Sequence, residues 1–193
     1  YFKWNALSES RSILSRSELI IGRGEILVFH VQTYIYFPVN ENPSFPAEIT
    51  VDDTSTLRNA EPYLDFERLD GHIELCYQGQ PILTEGYGDF IKAYWDYLLQ
   101  AIRSFMKTGS GEMSLPDQPI PIVIKEQGLN WVLMTVGRDG KYGKWLLPKE
   151  ELIKTLLEGA IRFFKGLSDA FSDSIVQQYG YKRMYKYNLD LKI

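Results

Sequence analysis

The sequence predicts an α+β fold: a mostly antiparallel sheet of about six to eight strands with two long amphipathic helices packed on it. Three observations carry that prediction. Several stretches alternate apolar and polar residues at period two, two longer stretches repeat apolar residues every three or four positions, and glycine-bearing turns separate short apolar runs between them. With 193 residues, 45% of them hydrophobic, the chain is long enough to bury a sizeable core, and residues 1–193 read as one domain without a linker of disordered composition.

The first clear strand is "GEILVFHVQTYIYFP", in which Leu27, Phe29, Val31, Ile35 and Phe37 share one face and Thr33 is the only polar break. His30, Gln32, Tyr34 and Tyr36 fall on the other, amphipathic face. "AEITV" and "HIELCY" continue the alternation with Ile49 and Val51, then Ile73, Leu75 and Tyr77. The polar residues 52–71 between them predict a long loop or a short helix. In "YGDFIKAYWDYLLQAIRSFMKTG" the period changes: Phe90, Ile91, Tyr94, Leu98, Ile102 and Phe105 form a helical stripe that Trp95 and Tyr97 widen. Asp89 suits its first turn, Lys107 its last, and Gly109 its left-handed terminus.

"FMKTGSGEMSLPDQPIPIVI" follows, holding three prolines among turn residues, and reads as a crossover from helix to sheet. Pro116, Pro119 and Pro121 lack a backbone donor, which places the next strand at an edge or confines them to its start. Three short strands come next, joined at "QGLN" and "RDGKYG". "LPKEELIKTLLEGAIRFFKGLSDAF" is the second long helix. Pro148 suits its first position, Glu150 and Glu151 complement the dipole, and Leu152, Ile153, Leu156, Leu157, Phe163 and Phe164 lead its buried stripe. Phe171, Ile175 and Tyr179 mark a further helical turn stopped by Gly180. The alternation in "YKRMYKYNLDLKI" predicts a terminal strand.

Net charge is mild at -4, but its distribution is uneven. Residues 141–193 carry ten basic and six acidic side chains, whereas residues 1–140 carry eleven basic and nineteen acidic. One cysteine, Cys76, forbids an internal disulfide, and no apolar run has the length of a signal-peptide core or a membrane span. A reducing, cytoplasmic setting is expected, with no membrane partner.

Known chemistries find little footing. His72 and Cys76 share a strand face, but about 13 Å separates residues four apart, too far for direct proton exchange. No zinc spacing, phosphate loop or dinucleotide fingerprint is present, so no cofactor or metal is expected. "YKRMYKY" interleaves bases with tyrosines, yet an acidic chain argues against nucleic acid.

What stands out is an acidic stretch in which Asp52, Asp53, Glu61, Asp65, Glu67 and Asp70 face only Arg58 and Arg68. Lacking a core-forming pattern, it leaves these six carboxylates as candidates for partner binding by steering a basic protein. An enzyme or metal site around Asp52, Asp53 and His72 is the alternative, because carboxylates and imidazole can share a cation. A structural or scaffold role is a third. The order of "YWDYLLQAIRSF", "LPDQPIPIVI" and "WLLPKEELIKTLLEGAIRFF", spanning residues 71–164, resembles the layout of small bacterial immunity proteins that neutralise polymorphic toxins. That resemblance is one of layout rather than of any single motif. It implies a non-catalytic inhibitor of a cognate toxin and carries over no catalytic residue.

Overall fold

A computed structural model describes residues 29–181, apart from 39, 41, 139 and 140. The expected terminal strand at 181–193 thus falls outside the described residues except for Tyr181, as does Leu27 of the first strand. The fold is α+β, and the described residues hold nine strands in two antiparallel sheets. Strands β1 (Phe29–Tyr36), β2 (Glu48–Thr50), β3 (Asp70–Tyr77) and β4 (Gln80–Leu83) stand in the order β2-β1-β3-β4, and β5 (Asp89–Phe90) pairs with the start of β3. Strands β6 (Ser110–Ser114), β7 (Pro121–Glu126), β8 (Trp131–Arg138) and β9 (Lys141–Pro148) form a meander in sequence order. Helices α1 (Thr54–Ala60), α2 (Ile91–Thr108), α3 (Lys149–Ala170) and α4 (Asp173–Tyr179) complete the set. Among the described residues no helix is long and apolar enough to cross a membrane.

The strands divide between two sheets instead of joining one because α2 intervenes. Its 18 residues carry the chain roughly 27 Å from the β3 edge, at 1.5 Å per residue, to a fresh start at β6. Both sheets lean on the same pair of helices: α2 touches β3, β5, β6 and β7, and α3 touches β1 and β9. Buried side chains from both sheets and from α2 and α3 form one hydrophobic cluster.

On β1 the odd-numbered face is buried, as the alternation predicts, and Thr33 on that face is buried too. Its hydroxyl accepts the Trp95 indole N–H at 3.2 Å inside the core. The polar break in the pattern is therefore the partner that a buried indole requires. Helix α3 passes close behind: a β-carbon at Gly159 would lie 2.9 Å from the Trp95 ring and 3.0 Å from Val31. A glycine there allows helix and strand to approach.

Helix ends follow the sequence with two exceptions. Gly109 ends α2 in the left-handed conformation at φ 75°, its N–H donating to the Phe105 carbonyl at 2.7 Å, and Gly180 ends α4 at φ 71°. Glu150 and Glu151 occupy the first turn of α3, while Pro148 precedes the helix as its cap instead of opening it. Asp89 lies ahead of α2 in β5, so it does not serve the helix dipole. Tyr97 does not widen the α2 stripe: it is exposed, whereas Trp95 is fully buried. Residues 52–71 resolve into α1 and a short 3-10 turn, and they do contribute to the core through Leu57, Ala60 and Leu69. The helix-to-sheet crossover contains β6, which makes β7 an inner strand with Pro121 as its first residue. Gln78 and Gly79 close the β3–β4 hairpin with φ of 49° and 77°, the two-residue turn that matches strand twist.

Thr33→Val removes the acceptor while keeping the shape and should destabilise the protein by about 1–3 kcal/mol, the cost of stranding a buried N–H. In the Trp95→Phe background, which carries no N–H, the same change should cost much less. Chemical denaturation of the four proteins checks this; equal costs in both backgrounds would deny the hydrogen bond its role.

Candidate functional site

At the end of the five-stranded sheet where β1 stops and β3 begins, two depressions meet. The larger, about 500 Å³, is lined by aromatic Tyr36, Phe37 and Tyr63, by Asp65 and Asp70, and by Arg68. The smaller, about 210 Å³, is lined by Tyr36 and Asp70 again, with Gly88, Asp89, Asp117 and Gln118. Tyr36 and Asp70 belong to both, so the two form one acidic groove with aromatic walls. Four chain regions build it: the β1 end, residues 63–70, β5 with the residue before it, and the loop between β6 and β7.

That loop is pinned by Asp89. Its buried carboxylate accepts the Phe90 N–H at 2.7 Å and receives the Asp117 N–H with both oxygens at 3.1 Å. Gln118 adds a donation from its side-chain amide to the Gly88 carbonyl at 2.5 Å. Backbone donors thus satisfy Asp89, and the Asp117 side chain is held at the groove's rim. Opposite, the Tyr36 hydroxyl donates to the Glu85 carbonyl at 3.3 Å. Burial raises the Tyr36 pKa, and Glu48, Glu85 and Asp70 raise it further, so the phenol stays neutral.

Asp70 is different. It is exposed at the groove's surface, no hydrogen bond from the described residues reaches its carboxylate, and partial desolvation raises its pKa above the ordinary value. Arg68 works against that rise, while Asp89, Asp117 and Asp65 add to it. The Arg68 guanidinium sits 5.4 Å over the Phe90 ring.

The other acidic candidates serve nearer ends. Asp52 accepts the Gln32 amide at 2.9 Å. Asp53 caps α1, accepting the Thr56 N–H at 3.0 Å and the Ser55 hydroxyl at 2.8 Å, and bonds from Thr56, then Ser55, lower its pKa. Glu61 receives the N–H and hydroxyl of Ser172, both at 2.7 Å, tying the 3-10 turn after α1 to the start of α4. Asp65 accepts the Glu67 N–H at 3.0 Å with one oxygen while lining the groove, and Glu67 is exposed. Of the six carboxylates, Asp65 and Asp70 come together in the groove. Asp117, Asp89 and Tyr36 join them, although the sequence assigns Asp89 to a helix turn and Tyr36 only to a strand face; the flanking prolines of "LPDQP" are the one signal of a rigid, positioned aspartate.

The alternative built on Asp52, Asp53 and His72 is not assembled. Asp53 is committed to its cap, and the buried His72 ring stacks on Tyr34 at 4.7 Å and 9°. Its Nε2 lies 3.9 Å from Glu74. Among the described residues no group of three or more His, Cys, Asp or Glu could hold a metal ion. Cys76 stands opposite His30 in the β1–β3 register, but burial, then Glu74, raises its thiol pKa, which works against a reactive thiolate.

The class that fold and site define is an α+β protein of two antiparallel sheets with an acidic, aromatic-walled groove at one sheet end. No protein-family model matches the chain, and comparisons with curated proteins and with solved structures also find no match.

Asp70 has a consequence for stability. Its folded-state pKa lies above the unfolded one, so the stability its proton brings is full below the unfolded value, about 3.9, and is lost as pH rises through the folded value. Asp70→Asn should therefore raise the thermal midpoint at pH 7, and the gain should vanish near about pH 3. A lowered midpoint at pH 7 would mean that a folded-state partner stabilises the charge.

Proposed function

We propose that this chain is a non-catalytic protein-binding module whose groove receives a basic side chain from a protein partner. The observation that carries the reading is Asp70, a carboxylate without a hydrogen bond from the described residues, set where two depressions meet beside Asp65 and Asp117. An incoming guanidinium or ammonium group would relieve the repulsion among these acids and lie against the rings of Tyr36 and Tyr63. Such a contact neutralises what the groove concentrates. Caps and ties already occupy Asp53 and Glu61, so the binding surface narrows to Asp65 and Asp70 within the acidic stretch, with Asp117 from the β6–β7 loop. In line with the layout described above, the partner class is a basic bacterial toxin. An immunity protein of this kind works by occupying the cationic site with which a nuclease would hold phosphate.

The test begins with a partner captured from the native host and proceeds by stopped-flow association. Asp65→Asn/Asp70→Asn should slow association about tenfold, and the wild-type rate should fall as salt approaches ~0.15 M, where screening acts over about 8 Å. Asp53→Ala should lower stability by about 1 kcal/mol through its cap and leave that rate unchanged. A rate indifferent to both salt and the double substitution would place binding elsewhere and overturn the reading.

A further inference from the structure

The outer face of the four-stranded sheet is a second surface, independent of the groove. Trp131 and Leu146 are 44% and 52% exposed there, and Leu133 stands opposite Leu146 in the β8–β9 register. The opposite face of the same sheet carries the buried Met113, Ile122, Met134 and Leu147.

The cross-strand register arranges the outer face in rows. One row runs Glu112, Val123, Thr135, Lys144, one residue from each strand. It has an acid at the β6 edge, a base at the β9 edge, and both are exposed. The neighbouring row runs Ser110, Lys125, Leu133, Leu146.

We propose that this face pairs with the same face of a second copy of the chain, about a two-fold axis parallel to the strands. That operation keeps strand direction and reverses strand order. Each Glu112 then meets the other copy's Lys144, twice per dimer, while Val123 and Leu133 fill the middle and Leu146 covers the other copy's Ser110 at the edge. Lys125 lays its methylene stem across the other copy's Leu133 and carries its ammonium to the rim. Two sheets stacked in this way fit the ordinary aligned packing, about 10 Å apart. A row antisymmetric in charge, with Val123 and Thr135 at its centre, is complementary to itself. An arbitrary acidic or basic partner would meet one like-charged edge.

The face spans four strands at about 4.8 Å spacing, roughly 300–400 Å² per copy, which is small for a stable interface. The dimer is accordingly one that dissociates on dilution. Sedimentation velocity of the full chain from about 10 μM to about 1 mM, the weak end of the affinity scale, should show monomer passing to dimer. Glu112→Lys and Lys144→Glu should each weaken the dimer at least about tenfold, as like-charge contacts do across an interface, and the double reversal should restore it. Leu133→Ser, at the centre of the face, changes no charge and should abolish dimerisation, which keeps the test decisive should a charge variant fail to fold. A monomer at every concentration, a dimer unmoved by the single reversals, or a folded double reversal that stays monomeric would overturn the proposal.

Discussion

The buried indole of Trp95 is the constraint around which the two helices and the larger sheet are set. It is fully buried, its N–H is taken by Thr33 on the inner face of β1, and the Phe163 ring of α3 lies 6.3 Å away. A large ring with one polar atom cannot sit in a core unless that atom is bonded, so β1 and α2 must hold one relative position. Helix α3 then has to pass where only a glycine fits, at Gly159, and one turn later Arg162 donates to the Val31 carbonyl at 2.6 Å. Strand, helix and helix are fixed against each other by hydrogen bonds as well as by packing.

From that fixed β1 the groove follows. The β1–β3 register runs from Phe29 opposite Tyr77 to Ile35 opposite Gly71, which brings the ends carrying Tyr36 and Asp70 to the same side of the sheet. Gly71 abuts the Tyr34 carbonyl so closely that a β-carbon would lie 2.1 Å from it, and the two strands can keep this register only with glycine there. Asp89 is buried at low cost because backbone N–H groups satisfy it. Asp70 is exposed and accepts no hydrogen bond among the described residues; partial desolvation and the neighbouring Asp89, Asp117 and Asp65 raise its pKa against the pull of Arg68. Groups held against their own electrostatic preference are found where a surface awaits a ligand, which is why Asp70 and not Asp53 or Glu61 directs the functional reading.

How much of this could be read in the sequence depended on whether the signal was periodic and local. The β1 alternation, the α2 and α3 stripes and the glycine terminators could be read because packing on one face imposes period two or 3.6. Tyr97 is exposed because aromatic character alone does not place a residue on the stripe. Strand β6, "SGEMS", has Met113 as its one large apolar residue, and a β-carbon at Gly111 would lie 1.9 Å from the Ala101 carbonyl of α2; small residues that permit contact leave no hydropathic trace. Strand β4 begins with Gln80 and Pro81, and β5 has two residues, too few for a pattern. In the acidic stretch, composition did not separate the cap at Asp53 or the tie at Glu61 from free carboxylates. The groove itself draws on four separated chain regions, and only the register and the Asp89 bonds bring them together.

The central claim, that the groove binds a basic side chain, is tested most directly without any partner, by heteronuclear NMR titration of the protein with N-acetylarginine amide. A groove that binds a basic side chain gives saturable shifts concentrated at Tyr36, Asp65, Asp70 and Asp117, weakening as salt is added and lost in Asp65→Asn/Asp70→Asn. Shifts spread evenly over the acidic surface, or centred away from Asp70 and unchanged by the double substitution, would contradict it.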